Sequence, residues 1–213
     1  MSLNEADPAR LMRFVLELRQ AGVTDRKTLA AMERTPRALF APDHLSALAL
    51  EDVALPLAHD QSLTKPSVVG RMIAALLLTG GELVLEVGTG SGYQTAALAL
   101  MARKVTTLER HRPLVADARA RFGGLRLMNV QAHVADGRAG WPDGAPYDRI
   151  IVNAAAESPP PALLDQLAPD GLLLMPTGAR LDMRLMRFRK SAEAPEDLGR
   201  IDMPALQEGI AEE

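Results

Sequence analysis

The stretch Leu83-Val84-Leu85-Glu86-Val87-Gly88-Thr89-Gly90-Ser91-Gly92-Tyr93 decides how the rest of the chain is read. Leu83, Val84, Leu85 and Val87 form a short apolar run, the pattern of a strand buried on both faces. Glycines at alternate positions follow at once, and a helical stretch over 96–102 comes after them. Strand, glycine turn and helix in that order bring bare backbone close beneath a ligand at the carboxyl end of a strand.

Working outward, 104–109 reads as strand, 112–122 as helix, and 130–135 and 149–153 as strands. Segment 160–167 reads as helix and 172–175 as a strand ending at Pro176, with weaker strand candidates at 182–189 and 197–203. Alternation at this spacing predicts an α/β fold with a doubly wound, mostly parallel, Rossmann-like sheet. On the amino-terminal side, 7–21 reads as a helix, with Asp7 at its cap, Pro8 in its first turn, and Leu11, Phe14, Val15 and Leu18 on one face. Thr24 is expected to cap a second helix carrying Leu29 and Met32. Segment 35–65, interrupted by Pro36, Pro42 and Pro56, reads as irregular chain, and helix resumes over 66–78. The expected organisation is a helical cap and substrate-side segment over 1–80 beside a ligand-binding core over 81–213, in one compact unit.

Composition narrows the functions available. At 213 residues, with 47% hydrophobic and 24% charged residues, the chain is globular rather than disordered or fibrous. A net charge of −3 gives no broad positive field, so no nucleic-acid partner is expected. With no cysteine, disulfides, thiolate nucleophiles and thiolate metal sites are excluded. His44, His59, His111 and His133 form no HxH or HxxxH pair, so no metal site is expected. The opening residues lack a signal-peptide pattern, and the apolar run 72–79 is too short to span a bilayer. The expectation is a soluble cytoplasmic protein, acting as a monomer and without a membrane partner.

The glycine spacing separates the nucleotide-type ligands. A dinucleotide fingerprint places its third glycine one residue later than Gly92, where Tyr93 stands, and no P-loop string exists. Glu86 precedes the first glycine by two residues; a carboxylate there suits the cationic sulfonium and amino group of S-adenosylmethionine better than a diphosphate. Glu109 ends the next strand, where an acid can accept both ribose hydroxyls. Asp136-Gly137 follows the third strand, where the carboxylate can accept the adenine amino group. Three acids closing three successive strands behind Gly88, Thr89, Gly90, Ser91 and Gly92 favour S-adenosylmethionine over NAD. Met72, Met101, Met128 and Met175 read as core filler, and Trp141 as packing on the loop near the adenine. Arg184, Arg187 and Arg189 read as a solvated sheet face.

The chain resembles the protein-L-isoaspartate O-methyltransferase family. The pieces that match are TPRALFAP (35–42), LPLAHDQSLTKPSVVGRM (55–72), VLEVGTGSGYQTAALA (84–99) and VTTLER (105–110). The long run from ADGRAGW to LMPTG (135–178) and ALQEG (205–209) complete them, in family order. The resemblance implies a class I methyltransferase fold with S-adenosylmethionine as cofactor. Its reaction would be methyl transfer to the α-carboxyl of L-isoaspartyl residues, with isoaspartyl proteins or peptides as partners. The resulting ester closes to a succinimide that hydrolyses partly to normal aspartate. A carboxylate nucleophile has a pKa of about 4, so it is ionised at neutral pH and needs no general base.

The resemblance also assigns roles on the substrate side. The family's T-I-S-Q-P string has a serine that supports the reacting carboxylate, and Thr64 stands at that position in Ser62-Leu63-Thr64-Lys65-Pro66. Thr64 is therefore the catalytic candidate; its other reading is an N-cap for the helix from Pro66. Lys65 replaces the usual glutamine, either to attract an acidic substrate or as an ordinary surface lysine. His59, Gln61, Ser62 and Asn153 are the remaining substrate-side candidates; Ala58-His59-Asp60-Gln61 and Asn153 depart from the family's usual residues. These departures leave two alternatives: a methyltransferase of the same fold with another carboxylate or small acceptor, and a cofactor-binding paralogue without turnover.

Overall fold

The computed structural model describes residues 7–179 and 181–212. Seven strands form one sheet in the order β5-β4-β3-β6-β7-β8-β9. These are β3 (Leu83–Val87), β4 (Lys104–Glu109), β5 (Val130–Val134), β6 (Tyr147–Val152), β7 (Leu167–Thr177), β8 (Arg184–Arg189) and β9 (Glu196–Arg200). β5 through β7 are parallel, and β8 and β9 add an antiparallel edge. The chain runs outward through β3, β4 and β5, then returns to place β6 on the other side of β3. That reversal opens a crevice at the carboxyl ends of β3 and β6, the place where such sheets bind ligands.

Side-chain alternation builds a core on each face. Val84 and Ile151 join one apolar cluster, while Leu85, Val87, Ile150 and Val152 join the other. The first cluster continues into α1 (Pro8–Gln20), α2 (Arg26–Arg34) and α3 (Pro66–Ala75) through Phe14, Leu18, Met32 and Met72, so the amino-terminal helices cover one face of the sheet. The remaining helices are α4 (Tyr93–Ala99), α5 (Arg112–Gly124) and the short α6 (Pro161–Asp165). Between α2 and α3, two 3₁₀ turns lead to a small hairpin, β1 (Leu55–Pro56) against β2 (Ser62–Leu63).

Several local expectations are corrected. Asp25, not Thr24, caps α2, because its carboxylate reaches Thr28 N at 2.7 Å. β7 starts at Leu167, taking up residues that resembled a helix end, and the helix is confined to five residues between Pro160 and Gln166. Met128 is 93% exposed and fills no core, whereas Met72 and Met175 are fully buried. Trp141 stacks on His133, with ring centroids 4.0 Å apart, and is absent from the lining of the ligand crevice. Arg184 and Arg187 are ion-paired with Asp197 and Glu196 across β8 and β9. Among the described residues, no helix is long and apolar enough to cross a membrane, and no group of three or more His, Asp or Glu is placed to hold a metal.

Candidate active site

The glycine loop is anchored by its neighbours on the sheet. Beyond the end of β3, Gly88 N and Thr89 N both donate to Leu108 O, at 2.8 and 3.1 Å. Thr89 Oγ1 meets Thr107 Oγ1 at 2.7 Å, and Ser91 O accepts from Arg121. Gly92 enters α4 at φ +90, and a Cβ there would lie 2.7 Å from the Phe122 ring. Both its backbone angle and its packing therefore require glycine. Gly137, in the turn after β5, is constrained by packing alone, since a Cβ would come within 2.2 Å of Val87.

The three acids divide into different tasks. Glu109 is buried, yet it lines the crevice. Its Oε2 accepts from Gly90 N at 2.9 Å, and its Oε1 accepts from Arg110 N and His111 N at 2.8 and 3.1 Å. A carboxylate offers about four lone-pair sites, so acceptor capacity remains for a ligand hydroxyl. Glu86 has no exposed surface and does not face the crevice as expected. It accepts from Thr95, Thr107, Gln94 and Asn153, and forms a buried charge site beneath the loop. Burial pushes its carboxyl up to about 7, with those four hydrogen bonds pulling the other way. Asp136 caps the turn Gly137–Ala139 through Arg138 N and holds the carboxyl-terminal segment through Gly209 N at 3.0 Å. Its carboxylate thus accepts one backbone N–H on each oxygen, which fixes its place just after the end of β5.

Asn153, following β6, links these parts. Its amide donates to Glu86 and to Gly88 O, and its oxygen accepts from Gln94 at 2.7 Å. Gln94 was not singled out by the sequence reading, although it lies just inside the helix that the glycine loop feeds.

The acceptor side is built from the hairpin and the chain leading into α3. Gln61, Ser62 and Thr64 line one lobe of the crevice together with Gly88, Thr89, Gly90 and Ser91. A second lobe lies against Leu108, Ala135, Gly137 and Leu206, and the lobes share Gln61, Gly88, Glu109, Asn153 and Pro204. Thr64 is not the cap of α3. Lys65 occupies the N-cap without a side-chain bond, and Asp52 reaches in from the preceding loop to accept Ser67 N at 2.7 Å. Within the described residues the Thr64 hydroxyl makes no hydrogen bond, while its carbonyl accepts from buried Arg37. Arg37 also donates to Ala49 O and Val53 O and lies 5.6 Å from the centre of the Tyr93 ring, pinning the irregular segment to the core.

His59 and Asp60 form the hairpin tip, both at positive φ (59 and 55). The His59 ring stacks on His111 at 5.0 Å, tying the hairpin to the end of β4. Partial burial holds the His111 imidazole below its ordinary value; Glu109 opposes this, and His59 and Arg110 add to it.

The donor set fits a nucleoside carrying an amino-acid tail. Gly90 at φ +53 has nothing within 4 Å of a Cβ position, leaving an open cradle beside Glu109. The lobe against Leu108, Ala135 and Leu206 offers side chains to a flat base, and the lobe bordered by the glycine loop offers backbone to a zwitterionic tail. A doubly wound sheet with a crevice at its switch point is the architecture of the Rossmann-like class I methyltransferase fold. Within that class the chain belongs to the Protein-L-isoaspartate(D-aspartate) O-methyltransferase (PCMT) family, whose profile matches residues 10–200.

Curated relatives agree with this assignment. The protein-L-isoaspartate O-methyltransferase of Paramagnetospirillum magneticum is 48% identical over 191 residues, covering 89% of each chain. That of Paracoccus denitrificans is 44% identical over the whole of both. Among solved structures, the Plasmodium falciparum PCMT in complex with S-adenosyl-L-homocysteine shares the fold with a TM-score of 0.81 at 20% identity, covering 92% of this chain and 97% of that one.

Proposed function

We propose that this chain transfers a methyl group from S-adenosylmethionine to the α-carboxyl of L-isoaspartyl residues in damaged proteins and peptides. The observation that carries the reading is the placement of Thr64, whose hydroxyl makes no hydrogen bond among the described residues, on the same lobe as the glycine loop, with Glu109 shared between that lobe and the one against Leu108. S-adenosylmethionine, when bound, supplies a methyl group already activated by its sulfonium. Glu109 holds Gly90 and keeps acceptor capacity for a ribose hydroxyl. Gly88 to Ser91 offer backbone to the amino-acid tail, and Leu108, Ala135 and Leu206 cover the base. On the other side, Thr64 donates to the incoming carboxylate and Gln61 and Ser62 border it. Since that carboxylate is already ionised, the chain's task is to align it rather than to remove a proton. The same reading places the protein in the cytoplasm as a monomer without a nucleic-acid partner, in keeping with a net charge of −3.

The test is an assay with methyl-labelled S-adenosylmethionine on an isoaspartyl peptide and its aspartyl twin. Label on the first alone is expected, because the extra backbone methylene of isoaspartate moves the carboxyl into line. Equal labelling of both, or of neither while cofactor is bound, overturns the reading.

A further inference from the structure

The acceptor lobe does not end at Thr64. A groove leaves it between Ser62 and Pro204, then passes Met183 and Asp202. There it opens into a trough walled by Lys65, Arg71 and Arg200 over an apolar floor that includes Val68. We propose that this trough is a subsite for acidic side chains near the isoaspartyl residue, so that Lys65, Arg71 and Arg200 select acidic peptides. The inference rests on the peptide-methylation reading and adds a substrate preference to it.

Charge accounting supports the assignment. The chain as a whole is negative, yet three cations meet here against the single carboxylate of Asp202. The ion pairs among the described residues use Arg138, Arg149, Arg184 and Arg187, and none uses the three trough residues. On the same edge of the sheet, Arg184 and Arg187 are neutralised by Asp197 and Glu196, which among the described residues leaves Arg200 as an unpaired cation of β9 facing the trough. The two guanidinium groups there are also oriented. Arg200 donates to Leu181 O at 2.8 Å and Arg71 to Leu198 O at 3.4 Å. Each guanidinium carries five N–H donors, so such a bond fixes the plane and leaves others for a carboxylate. Lys65 is the residue after Thr64 and sits at the amino end of α3, whose dipole adds to its field. Glu157 and Asp202 border the passage between lobe and trough. They disfavour an acid immediately beside the isoaspartyl residue and favour one two or three positions away.

The experiment uses the whole protein and isoaspartyl peptides differing only in flanking charge. Two glutamates, two glutamines or two lysines are placed two and three residues from the isoaspartyl residue, on either side in turn. At low salt, one of the glutamate peptides is expected to show a KM about three- to tenfold below its glutamine counterpart, and the lysine peptide a higher KM. The gap should shrink as salt screens the trough. The double variant Lys65→Glu, Arg200→Glu should reverse the order of the glutamate and lysine peptides. S-adenosylhomocysteine affinity, measured on the same preparation, reports that the variant is folded. Methylation of all peptides with equal KM overturns the trough assignment alone. Absence of methylation on every isoaspartyl peptide when S-adenosylmethionine is supplied, in a preparation shown separately to bind S-adenosylhomocysteine, overturns the parent reading and this one with it.

Discussion

The two walls of the crevice are made differently. The wall from β3 to β5 is regular parallel sheet in which buried acids accept backbone and side-chain hydrogen bonds and hold the glycine loop rigid. The facing wall is a hairpin of two-residue strands with a tip of non-glycine residues at positive φ, held by one histidine stack and by Arg37 bonds to three carbonyls. The first wall is suited to an invariant ligand, and the second to a partner that varies. Substitutions on the first should therefore damage stability and cofactor binding together, and those on the second should change turnover or selectivity.

The largest effect is expected at Gly92. Gly92→Val places a branched side chain at φ +90 against Phe122, and strain plus overpacking should cost about 4 kcal/mol in denaturant unfolding. Next is Glu86, whose folded carboxyl titrates near 7 against 4.5 in the unfolded chain. A raised carboxyl favours the fold fully below the unfolded value and loses that contribution as pH rises through the folded one. Between pH 4.5 and 7 the loss is about 3 kcal/mol. Glu86→Gln removes the titration, so the stability of the variant relative to the parent should rise across that interval. A flat difference would show that Glu86 titrates normally.

On the hairpin wall the effects are smaller and of another kind. Thr64→Ala should lower the maximal rate about tenfold, corresponding to about 1.4 kcal/mol for one hydrogen bond to a charged group, with the melting temperature little changed because Thr64 caps nothing. Thr64→Ser, which keeps the hydroxyl, should retain the rate. Asp52→Ala removes the bond to Ser67 N and should cost about 1 kcal/mol of stability, read from thermal melts.

The same division governs what could be read in advance. The apolar run ending at Val87 and the glycine spacing are local signals, and they located the sheet, its switch point and the loop. The acids were located too, but not their directions. Glu86 shares a sheet face with Val84, which places its side chain in the core rather than toward a ligand, and that follows only once the covering helices are known. Asp52 and Arg37 escaped notice because their partners lie 12 or more residues away in irregular chain, where no periodicity marks a contact. The alternative reading of Thr64 as the cap of α3 fails for this reason: a neighbouring threonine satisfies the local rule, while a distant aspartate makes the bond.

Calorimetric titration of S-adenosylhomocysteine into the parent, Glu109→Ala and Thr64→Ala proteins tests the separation of the two walls most directly. The account predicts one-site binding by the parent, affinity weakened tenfold or more in Glu109→Ala through loss of a ligand bond and of the Gly90 anchor, and near-parental affinity in Thr64→Ala. Equal weakening in both variants, or binding of NAD in place of S-adenosylhomocysteine, would contradict it.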